Sequence, residues 1–139
     1  MNDLIERLQQ KKMTLTEIPH WGIYFRKRWE DCFVSHLNQA EKEAIYLYKY
    51  GYLWHVFSYE KQACLQKMDA NEAFDAVKKT TCYIFYQHSS DVLLVERAAA
   101  LKAVDFADEQ DVYIVNEDFT WTYVVTHEGY CGPYFSAIM

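Results

Sequence analysis

The stretch Asp111 to Glu128, DVYIVNEDFTWTYVVTHE, constrains the fold more than any other part of this chain. Val112, Ile114 and Asn116 alternate with Tyr113 and Val115. After the polar break Asn116-Glu117-Asp118, Phe119, Trp121, Tyr123 and Val125 alternate with threonines and Val124. Two period-two runs of β-branched and aromatic residues joined by a short polar segment specify an antiparallel hairpin. Phe119, Trp121, Tyr123 and Val125 form its core face. Thr120, Thr122 and Thr126 suit a wetter face or a cross-strand hydroxyl pairing.

The remaining segments are read around this hairpin. Asn2 or Asp3 caps a first helix with Leu4, Ile5 and Leu8 on one face. Met13 to Ile18 has strand character and is stopped by Pro19, which suits an edge strand. Trp21, Phe25, Trp29, Phe33 and Leu37 recur every four residues and predict an amphipathic helix from Gly22 to His36. A strict four-residue repeat drifts by about 40° per step, so its first and last members need not both face the core. Asn38 with Glu41 has the spacing of a capping box. From Ala44 the period changes to two, and Gly51 sits where a tight turn would fall. A second hairpin ending at Tyr59 is therefore expected, with a helix through Tyr48 as the rival. In its second strand Trp54 and Val56 face one way and Leu53, His55 and Phe57 the other. Asp69 with Glu72 opens a helix ending near Lys79. Strands follow at Cys82 to Gln87 and Val92 to Glu96, and a short helix near Ala98 precedes the final hairpin. The expected class is α+β, a single domain over residues 1–139, mainly antiparallel sheet with the N-terminal and connecting helices packed on it.

Composition narrows the function classes. Half of the 139 residues are hydrophobic and 17% aromatic, enough for a core. With four glycines and two prolines there is no material for a linker. A net charge of -6 argues against a nucleic-acid partner. Arg26-Lys27-Arg28, the only basic run, reads as the solvated face of a helix. Met1 to Lys12 is charged and lacks the apolar block of a signal peptide, and no apolar run is long enough for a bilayer, so a cytoplasmic protein is expected. Cys32, Cys64, Cys82 and Cys131 are scattered and read as reduced thiols, Cys32 and Cys82 buried. No zinc-ligand spacing or cofactor motif is present.

Two constellations carry the functional expectations. His55, His127, Glu128 and Cys131 are the candidate catalytic or ligand-binding residues. His127-Glu128 closes the last strand and Cys131 follows, a set able to make a nucleophile or metal site if it converges. The plain alternative is a loop-orienting pair. His88-Ser89-Ser90-Asp91 holds nucleophile, base and acid types but reads as a turn. Tyr50, Tyr52, Trp54 and Tyr59 are the candidate partner-binding residues, because Tyr and Trp anchor protein interfaces, although a core role explains such rings too. Asp105, Asp108, Glu109, Asp111, Glu117 and Asp118 offer an acidic rim for a basic partner.

IPHWGIYFRKRWEDCF (Ile18 to Phe33), GYLWHVFSYEK (Gly51 to Lys61), CYIFYQHSSD (Cys82 to Asp91) and DFTWTYVVTHEGYCGPYF (Asp118 to Phe135) together resemble an uncharacterised family of small bacterial intracellular proteins, the domain of unknown function numbered 4275. That resemblance implies one domain and brings no activity, cofactor or site residue. The D-F-x-W pattern at Asp118 to Trp121 with the later His127-Glu128 is also similar to small proteins that neutralise bacterial toxins. The expected function is a non-enzymatic interaction or regulatory module. The alternative is an enzyme or a small-ligand or metal binder using the His/Glu/Cys set.

Overall fold

The computed structural model describes residues 1–48 and 51–138. In chain order it contains α1 (Asn2–Gln9), β1 (Thr14–Ile18), α2 (Gly22–Phe33), α3 (Gln39–Ala44), α4 (His55–Ser58), β2 (Leu65–Gln66), α5 (Lys67–Ala76), β3 (Thr81–Tyr86), β4 (Val92–Glu96), β5 (Val112–Asn116), β6 (Trp121–Val125) and β7 (Tyr134–Ala137). Two 3-10 turns, Ala98–Ala100 and Ala103–Phe106, lie between β4 and β5. The strands form one antiparallel sheet in the order β1-β4-β3-β5-β6-β7-β2, an α+β architecture with β1 on an edge and β5 in the middle.

The β5–β6 hairpin separates two cores. Val112, Ile114, Trp121 and Tyr123 point to a side filled by Leu4, Leu8, Phe74 and Phe106. Tyr113, Val115 and Val124 point to the other side, against Trp29, Phe33, Trp54 and Phe57. Because helices cover both faces, both phases of the alternation are buried. This corrects the reading of Thr122 as wet: it is fully buried, its Oγ1 taking the Trp29 indole N–H at 2.9 Å and donating to the Ile114 carbonyl at 3.0 Å. Phe119 is likewise not in the strand. Asn116 Oδ1 accepts from Thr120 N at 2.8 Å and Trp121 N at 3.1 Å, and within this turn Phe119 has φ +55°. The left-handed backbone breaks the alternation, so the Phe119 ring packs in the core opposite Trp121 and Tyr123.

α2 buries Phe25, Trp29 and Phe33 and leaves Trp21 51% exposed, as the drift of a four-residue repeat requires. It stops at Phe33, three residues before the predicted end. The Asn38–Glu41 capping box is formed in both directions, at 2.8 and 3.0 Å. α5 ends at Ala76 rather than near Lys79, because Lys79 folds back and its Nζ donates to the carbonyls of Phe74 (2.6 Å) and Val77 (3.0 Å). Cys82 is buried as expected, whereas Cys32 is half-buried.

The expected hairpin between Ala44 and Tyr59 is replaced by a turn at Ile45-Tyr46 and the short helix α4. Leu53, Trp54, Val56 and Phe57, all buried, fit i, i+1, i+3, i+4 as well as an apolar strand, and period alone does not separate the two. Lys49 and Tyr50 lie outside the described residues. Gly51 packs so closely that a Cβ there would collide with the Tyr46 carbonyl, which leaves glycine as the residue that fits. The edge strand β2 and its neighbour β7 were not anticipated. Among the described residues no helix is long and apolar enough to cross a membrane.

Candidate functional site

The site begins with how α4 is tied down. Leu53 N donates to Gln87 Oε1 at 3.0 Å, and Trp54 N donates to the Tyr113 hydroxyl at 3.2 Å. Tyr113 in turn donates to Gln87 Oε1. The Trp54 indole N–H reaches Asp111 Oδ1 at 3.0 Å. α4 is thereby fixed to β5 and to the end of β3, and its outward side carries His55 beside Tyr52 and Tyr59.

Asp111 is the hub. It stands at φ +53° directly before β5 and accepts from Trp54 Nε1, from His127 N at 3.2 Å and from His127 Nδ1 at 2.9 and 3.0 Å. A carboxylate only accepts, so Nδ1 carries a proton toward Asp111, and Nε2 lies 3.5 Å from Glu128 Oε1. The Cys131 thiol donates to Glu128 Oε2 at 3.4 Å. His55 Nδ1 is 3.0 Å from Ser58 Oγ, and its ring lies 4.5 Å from that of Trp54. His127, Glu128 and Cys131 thus touch in sequence, and His55 joins them through Trp54 and Tyr52 rather than by a direct bond. Among the described residues no group of three or more His, Cys, Asp and Glu side chains is placed to hold a metal ion.

The rings form a continuous strip. Tyr46 and Tyr59 are 6.4 Å apart, Tyr59 and His55 5.4 Å, and His55 and Tyr52 5.8 Å. Tyr52 then meets His127 at 4.8 Å and His88 at 5.3 Å. Tyr46 and Tyr59 are 63% and 44% exposed, His88 and His127 are exposed, and Tyr52 is half-buried between them. Trp54 is fully buried, so of the anticipated partner-binding residues it is core, Tyr50 is outside the described residues, and Tyr52 and Tyr59 lie on the strip. His88 was expected as part of a turn and Asp111 as part of an acidic rim, neither of them in contact with these rings. The signal for Asp111 was present: pairing Val112 with Val125 places Asp111 beside the residues that follow β6.

The chemistry of the thiol argues against nucleophilic use. Burial, then the Glu128 carboxylate, push the Cys131 pKa up, which keeps it a thiol. Burial takes Cys64 to about 11 and Cys82 to about 12. Ser89 Oγ accepts from Asp91 N at 3.1 Å, the turn chemistry expected there. The acidic rim is partly spent inside the fold, since Asp105 pairs with Lys11 at 2.8 Å and Glu109 with Arg7 at 3.0 Å. Glu43, Glu60 and Glu128, all exposed, are the carboxylates next to the strip in sequence.

Burial lowers the His55 pKa from the usual 6.5, Glu128 opposes this, and His127 lowers it further. The unfolded chain therefore takes up that proton first. The stability this group contributes is complete above pH 6.5 and is lost as pH falls. The urea midpoint is expected to fall between about pH 7.5 and about pH 5.5, with a shallower fall in His55→Gln. Identical slopes in the two proteins would exclude His55 as the source.

A family model described as a domain of unknown function (DUF4275) matches residues 2–135. No curated protein and no solved structure matches the chain.

Proposed function

We propose, from the premise that the chain belongs to the DUF4275 family, a domain of unknown function, that it is a non-enzymatic cytoplasmic interaction module that docks a basic partner protein through the ring strip on α4. One observation carries the reading: Tyr46, Tyr59, His55, Tyr52 and His127 run edge to edge along the surface, with exposed rings at the ends. Tyrosines in such a row offer large contact area with little side-chain entropy to lose, which is why they dominate the energetics of protein interfaces. Exposed Glu43, Glu60 and Glu128 beside the strip, on a chain of net charge -6, favour a basic surface opposite. A regulatory or toxin-neutralising protein works through a surface of this kind.

The test is capture on the immobilised chain from extract of its native cell. The Tyr46→Ala/Tyr59→Ala double variant serves as control, because both rings are exposed and their loss leaves the core intact. A basic protein is expected to be retained by the wild type, about tenfold less by the double variant, and less by both as salt rises. Equal retention by the two proteins, or no specifically retained basic protein, defeats the reading.

A second reading, an acid–base or small-ligand site at His127, draws support from the Asp111 grip that orients the imidazole. It ranks lower because Nε2 faces Glu128, and the nearby thiol of Cys131 is held protonated.

A further inference from the structure

On the α2 side of the strip lies a cavity of about 390 Å³ lined by Ile23, Arg26, Glu30, Leu53, Gln87 and His88 among others. Its chemistry departs from that of the acidic chain around it. Arg26 reaches from α2 to the β3–β4 turn, where Nη1 donates to the carbonyls of Tyr86 at 3.0 Å and Ser89 at 2.6 Å. Gly22, one turn earlier, donates its N–H to the Ser90 carbonyl at 2.9 Å, and a Cβ there would collide with the Ser89 carbonyl. The guanidinium is therefore clamped in place.

Those two carbonyls occupy only Nη1. Nε–H and both hydrogens of Nη2 have no acceptor, and Arg26 has no carboxylate partner, among the described residues. The carboxylate in the cavity wall is already committed: Glu30 Oε2 takes Lys42 Nζ at 2.9 Å and the Tyr48 hydroxyl at 2.5 Å. Lys27 pairs with Asp31 on the outside at 2.9 Å. Lys42 and Lys27 thus each have a carboxylate partner, and among the described residues the half-buried Arg26 has none. Burial lowers its pKa, so the cation bears a desolvation cost without a counter-ion. An arginine with a free fork of N–H donors is built for a carboxylate, which it takes bidentately. Ile23 and Leu53 supply apolar wall beside it.

We propose that this cavity binds a small organic anion, a carboxylate on an apolar body, with Arg26 as the fork that holds the carboxylate. The volume suits a ligand at the small end of those that protein pockets take, roughly 300 Å³ and upward. The site adjoins the partner surface and shares His88 with it, but Arg26 and Ile23, on which the test turns, lie outside the strip.

The test is titration of benzoate into the isotope-labelled full chain, followed by nuclear magnetic resonance, with inorganic phosphate as a parallel probe. Benzoate is expected to give saturable shifts at Arg26 Nε–H, the Gln87 side chain and His88, with a Kd below about 1 mM. Arg26→Gln is expected to weaken it about tenfold or more, and Arg26→Lys by less, because the charge stays and the fork is lost. Ile23→Ala, at a residue 73% exposed and so harmless to the fold, is expected to weaken benzoate several-fold and leave phosphate unchanged. Shifts that stay linear to about 20 mM, shifts scattered over the exposed lysines, or phosphate binding as tightly as benzoate each overturn the proposal.

Discussion

Trp29→Ala is expected to remove about 3–5 kcal/mol of stability, a large share of the roughly 5–15 kcal/mol that holds a domain together. Trp29 is fully buried in the middle of α2, against Phe33 at 5.0 Å, Tyr113 at 5.2 Å and Phe57 at 5.8 Å between ring centroids. It therefore joins α2 to β5 and to α4 at a single point. Alanine leaves a cavity bounded by rings that cannot collapse far, because each is braced by strand or helix backbone. Its indole N–H also supplies Thr122 Oγ1. Trp29→Phe keeps most of the volume and removes the donor, while Thr122 still donates to Ile114, so a cost of about 1–2 kcal/mol is expected. Urea unfolding of the wild type, Trp29→Ala, Trp29→Phe and Thr122→Val separates packing from hydrogen bonding. A Trp29→Ala cost under about 1 kcal/mol would mean that the α2 face of the sheet does not depend on this ring.

Elements with one dominant signal were readable from the residues alone. The β5–β6 hairpin, the α2 stripe, the Asn38–Glu41 cap and the β3 and β4 runs each have a period or a cap that admits one answer. The region from Ala44 to Tyr59 does not. Its apolar residues satisfy the strand and helix periods together, and tertiary bonds decide between them: Leu53 N to Gln87, Trp54 N to Tyr113 and Trp54 Nε1 to Asp111. All three partners lie more than thirty residues away, beyond the reach of a local reading. β2 and β7 were missed for a related reason, since the two-residue β2 exists through its pairing with Phe135 and Tyr134. In the candidate site, the contact of His127, Glu128 and Cys131 follows from nearness in sequence, whereas the ring strip depends on α4 being helical. As a strand, that segment would have sent His55 and Trp54 to opposite faces, and Tyr46 and His88 would have had no reason to join.

Asp111→Ala is expected to cost about 2–4 kcal/mol, more than its partly exposed position suggests. The substitution strands the buried indole N–H of Trp54, releases His127 N and Nδ1, and puts a β-carbon with no local hydrogen bond at φ +53°. Asp111→Asn tolerates that backbone and keeps an oxygen for Trp54, but its amide cannot serve Nδ1–H from both atoms, so about half the loss is expected. A purely mechanical clamp would show only these stability changes. If Asp111 also sets the chemistry of the strip, nitrogen chemical shifts of His127 will move from the Nδ1–H to the Nε2–H tautomer in Asp111→Ala, under conditions where the chain remains folded. Partner retention would then fall alongside Tyr46→Ala/Tyr59→Ala. An unchanged tautomer in the folded variant would show that Asp111 anchors α4 through Trp54 and leaves His127 to its own preference, and the strip would have to work without an oriented imidazole at its end.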